Sequence, residues 1–258
     1  MPENEAKVIG RKSIQGMFLV FSEMMWFYGE TEKLAKYMTI PEDVKKRVQE
    51  LNNNGRPTLF LPMHWGNWEI STFACKMLDP AKPITIIARQ QKNPYLDKMV
   101  MDGRRKSGYT FVEAKGAARG LLKALKNGES VGLLVDQNTK THEGGTFGNF
   151  FGLPVTISKT AAMMAHKFNT NVYVFGCLRT RDGFEAYVKE LPKDLGEYSN
   201  QQELSQGMLD IMEEVVREHP DQWIWLYERW NYIPKNKPEL KDRYPYYAVM
   251  DREEFHTE

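Results

Sequence analysis

The sequence predicts an α/β fold, a single domain in which a layered mixed sheet is flanked by helices. Three observations carry that expectation. Short apolar runs of strand character alternate with helical periods from residue 57 to residue 136, the pattern of a sheet that is largely parallel there. The 258 residues suffice for one large domain, or two small ones, with a sizeable core. No internal repeat, low-complexity run or dividing linker interrupts them. One domain over 1–258 is therefore expected, with a helical part at 1–53, an α/β core at 57–230 and an irregular tail at 234–258.

Residues 3–37 read as one or two helices, because Ile14, Met17, Phe18, Phe21, Met24, Met25 and Tyr28 recur at three- and four-residue steps. Such a stripe either packs on a core or lies on a membrane surface. Gly29 breaks it, Pro41 opens a charged helix to about Leu51, and Asn52-Asn53-Asn54-Gly55 is a turn. A strand over 57–61 leads into Pro62-Met63-His64-Trp65-Gly66-Asn67-Trp68-Glu69, and 70–78 is helical. Next come a strand at 84–88, a helix from Asn93-Pro94 to about Lys106, a strand at 109–112 and a helix at 117–126. The strand at 131–135 ends at Asp136. A loop rich in glycine and phenylalanine is expected over 139–153, then a helix at 158–168 and paired strands at 172–178 and 184–188. Ser199 with Gln202 reads as a capping box for a helix whose Leu204, Met208, Ile211, Met212, Val215 and Val216 face the core. Residues 223–226 read as a last apolar strand.

A net charge of +1 gives no reason to expect a nucleic-acid partner. The distribution says more. Lys82, Arg89, Lys92, Lys98, Arg104, Arg105, Lys106, Lys115, Arg119, Lys123 and Lys126 face only Asp97, Asp102 and Glu113 over the same stretch. That run is either a solvated helix face or a site for an anionic partner. Cys75 and Cys177 stand far apart in apolar contexts, and His142, His166, His219 and His256 stand singly. Neither a disulfide framework nor a metal site is expected, and the cysteine usage suits a reducing compartment. The longest apolar stretch, from Met17 to Tyr28, has 12 residues and is too short to cross a bilayer as a helix.

His64 sits where a buried strand ends, and Glu69 lies five residues on, in the first helical turn. Ligands of open α/β sheets bind outside the carboxyl ends of strands. A histidine oriented by a carboxylate can take a proton from a hydroxyl; in isolation the same pair is also a structural histidine beside a helix-start glutamate. Arg104, Asp136 with Gln137, and Arg229 also stand where they could converge on one rim of the sheet. Backbone amides at Gly66–Trp68, or Arg104, are candidate donors to an oxyanion. No Gly-x-Ser-x-Gly elbow is present, which favours direct transfer over a covalent intermediate.

Several blocks resemble one family. His64-Trp65-Gly66-Asn67-Trp68-Glu69 is similar to the His-x-Gly-Asn-Trp-Glu block of bacterial lipid A biosynthesis acyltransferases, the late lauroyl/myristoyl transferases. Asn93-Pro94-Tyr95-Leu96-Asp97 with Arg104, Arg119 through Gln137, Phe150-Phe151-Gly152-Leu153-Pro154 with Thr156, and Trp225-Leu226 with Arg229 match further blocks in family order. The resemblance implies a glycerolipid-acyltransferase-like fold and acyl transfer from acyl-carrier protein or acyl-CoA to a lipid hydroxyl. It implies a lipid acceptor such as a lipid A precursor, without a cofactor, at the cytoplasmic face of the inner membrane. By the same resemblance His64 and Glu69 are the catalytic pair and Arg104 and Asp136 belong to the site. Asn67, Trp68, Gln137, Phe150, Phe151 and Arg229 are then expected to meet substrate.

The chain departs from that family at Met1-Pro2-Glu3, where a spanning helix would precede, at Gly148-Asn149 in place of Val-Pro, and at Lys159 near a usual glycine. Peripheral membrane contact through the 17–28 stripe is the expectation for this chain. Glu69 as the base itself, another glycolipid or lysophospholipid as acceptor, a thioesterase or lipase, and a non-catalytic lipid binder are the competing readings.

Overall fold

A computed structural model describes residues 1–28, 30–78, 83–88, 90, 92–106, 108–113 and 116–251. The helices are α1 (Glu3–Phe27), α2 (Thr31–Ala35), α3 (Glu42–Asn53), α4 (Trp68–Leu78), α5 (Pro94–Lys106), α6 (Ala117–Lys126), α7 (Lys159–Phe168) and α8 (Gln201–Glu218). The strands are β1 (Met38–Thr39), β2 (Thr58–Leu61), β3 (Ile84–Ala88), β4 (Thr110–Glu113), β5 (Ser130–Gly132), β6 (Gly145–Phe150) and β7 (Leu153–Ser158). They continue with β8 (Asn171–Arg179), β9 (Phe184–Glu190), β10 (Tyr232–Ile233) and β11 (Val249–Met250).

Among the described residues one seven-stranded sheet runs in the order β1-β9-β8-β2-β5-β3-β4. Its pairs are parallel except β8 with β9, so the sheet is mixed and the β2–β5 part is parallel, in line with the alternation in the sequence. β2 lies in the middle, and all four of its residues are buried. Successive strand residues face opposite sides. Leu59 and Leu61 enter a core shared with Leu121 and Leu125 of α6, Ala161 and Met164 of α7, and Leu204, Met208 and Val215 of α8. Phe60 enters the other core, with Phe27 of α1, Leu34 of α2, Val48 of α3 and Ile70 and Phe73 of α4. Helices thus cover both faces, as the continuously apolar run of a buried strand requires.

Three local expectations are corrected. Residues 145–158 form an antiparallel hairpin of β6 and β7, not a loop. Its two-residue connection has both backbones left-handed, Phe151 at φ 52° and Gly152 at φ 77°, as a primed hairpin turn requires. A phenylalanine at the first position hides that turn from a reading that looks for Asn-Gly. It is held there by Glu213, which accepts the Phe151 N–H, and by Arg217 over its ring at 4.5 Å.

The cap of α8 is Asn200, whose side chain accepts from the amides of Gln202 and Glu203 at 2.9 and 3.0 Å. Ser199 donates its N–H to the Glu203 carboxylate instead of capping. Finally, 223–226 is not a strand: Trp223 makes a single bridge to Trp65 and the chain then turns. The aromatic density there serves a cluster of Trp223, Trp225, Trp230, Phe150 and Phe151.

Candidate active site

The centre of the site follows from strand register. Phe60 of β2 is paired with Gly132 of the parallel neighbour β5. Four residues further on each chain stand His64 and Asp136, side by side outside the carboxyl ends of the two strands. His64 Nδ1 lies 3.0 and 3.2 Å from the two Asp136 oxygens, and the His64 backbone N–H donates to Oδ2 at 2.8 Å. An ionised carboxylate can only accept, so Nδ1 carries the proton, and in the neutral ring Nε2 is left with its lone pair. The Gln137 side-chain nitrogen is 3.5 Å from Nε2, and the Trp68 ring centre is 5.3 Å from the imidazole.

The electrostatics agree with that bond. Burial disfavours the imidazolium of His64, but the Asp136 charge and hydrogen bond, with a smaller push from Glu69, raise its pKa above the ordinary 6.5. Burial pushes the Asp136 carboxyl up, and His64 and Arg229 more than reverse it, leaving it below 3.8. With 3 % of its surface exposed, Asp136 is a buried anion held by its partners.

Glu69 is elsewhere engaged. Its Oε1 accepts from Arg104 Nη2 at 2.8 Å, and its Oε2 from Arg104 Nε at 3.4 Å and from the Tyr28 hydroxyl. The expectation that Glu69 orients His64 therefore yields to Asp136. A residue in the first turn of α4 faces α5 and α1, whereas the neighbouring strand places its carboxylate directly on the ring.

The turn between β2 and α4 is tightly specified. Gly66 is left-handed at φ 60°, and a Cβ there would overlap the Cys177 carbonyl. The Gly66 N–H donates to Gln222 O at 3.0 Å and the Asn67 N–H to Cys177 O at 2.9 Å, so neither is the oxyanion donor the sequence suggested. Asn67 is wholly buried. Its Oδ1 caps α4 by accepting the Glu69 and Ile70 amides at 3.1 and 3.0 Å, and its Nδ2 donates to Glu23 at 2.7 Å.

Behind Asp136, Asn138 is pinned on three sides. Its N–H donates to the Tyr227 hydroxyl at 2.7 Å, its Nδ2 to Glu228 O at 2.8 Å, and its Oδ1 accepts from Arg229 Nη1 at 2.8 Å. Arg229 is 1 % exposed and also donates to Thr156 O at 2.6 Å. Burial lowers its pKa to about 10, so it stays a cation at neutral pH facing the Asp136 charge.

Of the residues expected to meet substrate, Trp68 and Gln137 lie at the imidazole. Asn67, Phe150 and Arg229 are buried in capping, packing and loop-fixing roles instead, and half-buried Phe151 packs on Trp225 at the hairpin turn. Sequence reasoning missed Tyr28, Glu23, Asn138 and Tyr227. Only Asn138 had a signal, as the third polar residue after a buried strand. In the basic stretch, Asp102 pairs with Lys98 at 2.6 Å and Arg105 at 2.9 Å, while Lys82, Arg89 and Lys115 lie outside the described residues.

Comparison with known proteins agrees with the geometry. The profile of the family described as bacterial lipid A biosynthesis acyltransferase matches residues 1–232. The chain is 22% identical over 229 residues to the lipid A biosynthesis palmitoleoyltransferase of Escherichia coli K12, covering 87% of this chain and 71% of that one. It is 23% identical over 242 residues to the lipid A biosynthesis lauroyltransferase of the same organism, covering 92% and 76%. A lipid A biosynthesis acyltransferase of Shigella flexneri is similar at 22% over 229 residues. An imidazole held by a buried carboxylate at adjoining strand ends, on a chain matched along nearly all its length, belongs to an acyltransferase: the protein is a member of the bacterial lipid A biosynthesis acyltransferase family.

Proposed function

We propose that this acyltransferase moves a fatty acyl chain from an acyl-carrier-protein thioester to a hydroxyl of a lipid A precursor. The observation that carries the reading is the His64–Asp136 pair, in which Nδ1 faces the carboxylate and Nε2 is turned away from it. Nε2 takes the proton of the lipid hydroxyl as its oxygen attacks the thioester carbonyl. The tetrahedral intermediate collapses with cleavage of the C–S bond, and the imidazolium returns the proton to the departing thiolate. A positioned histidine of this kind contributes ~10²–10⁴-fold. The Gln137 side-chain amide, 3.5 Å from Nε2, is the candidate donor to the oxyanion. The Glu69–Arg104 pair closes the same rim, and no cofactor takes part.

What supports lipid A as acceptor is the naming of the relatives. What supports an acidic carrier as donor is the basic surface of α5 and α6, including Arg105, Lys106, Arg119, Lys123 and Lys126. What supports peripheral contact with a membrane surface is α1. Among the described residues no helix is long and apolar enough to cross a membrane. The 17–28 stripe divides: Met24 is buried, whereas Phe18, Phe21 and Met25 are 63, 55 and 61 % exposed. With Ile14 they form one outward line that continues into Arg11 and Lys7, apolar contact flanked by cations, as an anionic bilayer surface would take.

The test is mass spectrometry of a lipid A precursor in phosphatidylglycerol vesicles after incubation with acyl-carrier-protein or acyl-CoA donors. A gain of one acyl chain, larger with the carrier protein and lost in His64→Ala, is expected. Release of free fatty acid without lipid gain identifies a hydrolase and overturns the proposal. A carrier KM that does not rise with salt overturns the carrier part.

A further inference from the structure

The far side of α1 enters the site. Glu23 accepts from Asn67 Nδ2 at 2.7 Å and from Arg179 Nε and Nη2 at 2.8 and 2.6 Å. Ser13 bonds the Trp223 carbonyl and accepts from the Trp225 amide at 3.1 Å. Tyr28, just past the last turn, donates a hydrogen bond from its hydroxyl to Glu69. Its ring rests directly on Gly103, where any Cβ would overlap it, and lies 5.9 Å from the Phe73 ring. Tyr28 thus sits where α1, α4 and α5 meet. It touches the residue before Arg104 with its ring and Glu69 with its oxygen.

We propose that Tyr28 is a positioning residue of the transfer reaction, acting through Glu69 to hold the Glu69–Arg104 pair at the rim beside His64. The inference rests on the acyl-transfer reading above and deepens it by assigning a residue outside every block that carries the family resemblance. A carboxylate with one partner can swing about its own side chain. Glu69 has Arg104 on one oxygen and Arg104 and Tyr28 together on the other, which fixes its rotation. The Tyr28 proton stays in place for this role, because burial first and the Glu69 charge second push the phenol well above its ordinary value of 10.0. Gly103 is the complementary feature: only a residue without a Cβ lets the ring reach over α5.

The experiment compares Tyr28→Phe, Gly103→Ala, Glu69→Gln and the Tyr28→Phe/Glu69→Gln double variant, with the exposed Tyr95→Phe as control. Tyr28→Phe removes one oxygen and keeps the packing, so its unfolding midpoint and its binding to vesicles should match the parent. Its kcat should fall about tenfold with donor KM unchanged. The double variant should lose little more than Glu69→Gln alone, because the tyrosine acts on the Glu69–Arg104 pair, which that change already weakens. Gly103→Ala should fall in kcat as Tyr28→Phe does.

A second readout needs no turnover. The Tyr28 dipole offsets part of the Glu69 charge, so in Tyr28→Phe the His64 imidazole should titrate at higher pH by NMR, with no change in Tyr95→Phe. Parental kcat in Tyr28→Phe, full additivity with Glu69→Gln, or an unmoved His64 titration would each overturn the proposal. A titration shift in Tyr28→Phe, together with no acyl transfer by the parent, leaves the clamp standing and overturns the functional reading instead.

Discussion

Asp136 reaches His64 through the sheet, whereas Glu69 is held by the packing of three helices. The first pairing follows from β2 and β5 being hydrogen-bonded neighbours in fixed register, which leaves little freedom at the strand ends. The second depends on where α1 and α5 lie against α4, through Tyr28 and Arg104. On the proposed mechanism, orientation of the base is assigned to the sheet. The rim is assigned to the part whose outer helix also presents an apolar surface. Sheet register transmits position over one hydrogen bond; helix packing transmits it over whole side chains and is easier to shift.

The largest expected effect lies on the sheet side. Asp136→Asn should cost about 10²–10⁴-fold in kcat, because the amide no longer selects the Nδ1–H tautomer or stabilises the imidazolium. Its pH profile separates the two carboxylates. Only neutral His64 accepts a proton, and its pKa is raised, so parental activity climbs with pH through a midpoint above 6.5. Asp136→Asn removes the main raising influence and should move that midpoint down, while Glu69→Gln should move it less. The linked stability has the matching sign. The raised His64 stabilises the fold below 6.5, and that contribution is lost as pH rises through its folded value. The lowered Asp136 stabilises above 3.8, and that is lost as pH falls through its folded value. Thermal unfolding across pH should therefore show the pair's contribution greatest between those limits, and Asp136→Asn should flatten it.

Next in size is Gly66→Ala. Left-handed strain at this position is worth about 1–3 kcal/mol, and the overlap with Cys177 adds to it. Denaturant unfolding should show a loss at least that large, and unchanged stability would mean the β2–α4 turn can relax away from β8.

The smallest effect on stability belongs to the outer face of the helical side. Phe18→Asp with Phe21→Asp should leave folding free energy within about 0.5 kcal/mol per site, since both rings are exposed. Flotation with phosphatidylglycerol vesicles should nevertheless be lost. Unfolding of that variant, or parental flotation, would return the stripe to a packing role.

Legibility followed the range of the interactions. The alternation of strands and helices, the buried β2 run and the His64 strand end are local patterns, and the sheet forms as they require. The β6–β7 hairpin was hidden because Phe151 occupies a left-handed position that only Glu213 and Arg217, more than sixty residues away, make tolerable. The Asn200 cap was misplaced by one residue because Ser199 and Asn200 both have capping side chains, and φ/ψ of the entering chain decides between them.

By itself the sequence determined the α/β class, the family, and which polar residues stand at strand ends, because each rests on neighbours along the chain. Tertiary structure decided their partners. β5 returns between β2 and β3 after two intervening strand–helix units, and that return puts Asp136 on His64 across seventy-two residues. No periodicity encodes it, since it depends on which strand inserts beside which. The same holds for Tyr28, whose contact with Glu69 exists only because α1 folds back over α4, and for Arg229, whose burial beneath Asn138 turns an apparent substrate ligand into a fixed internal cation.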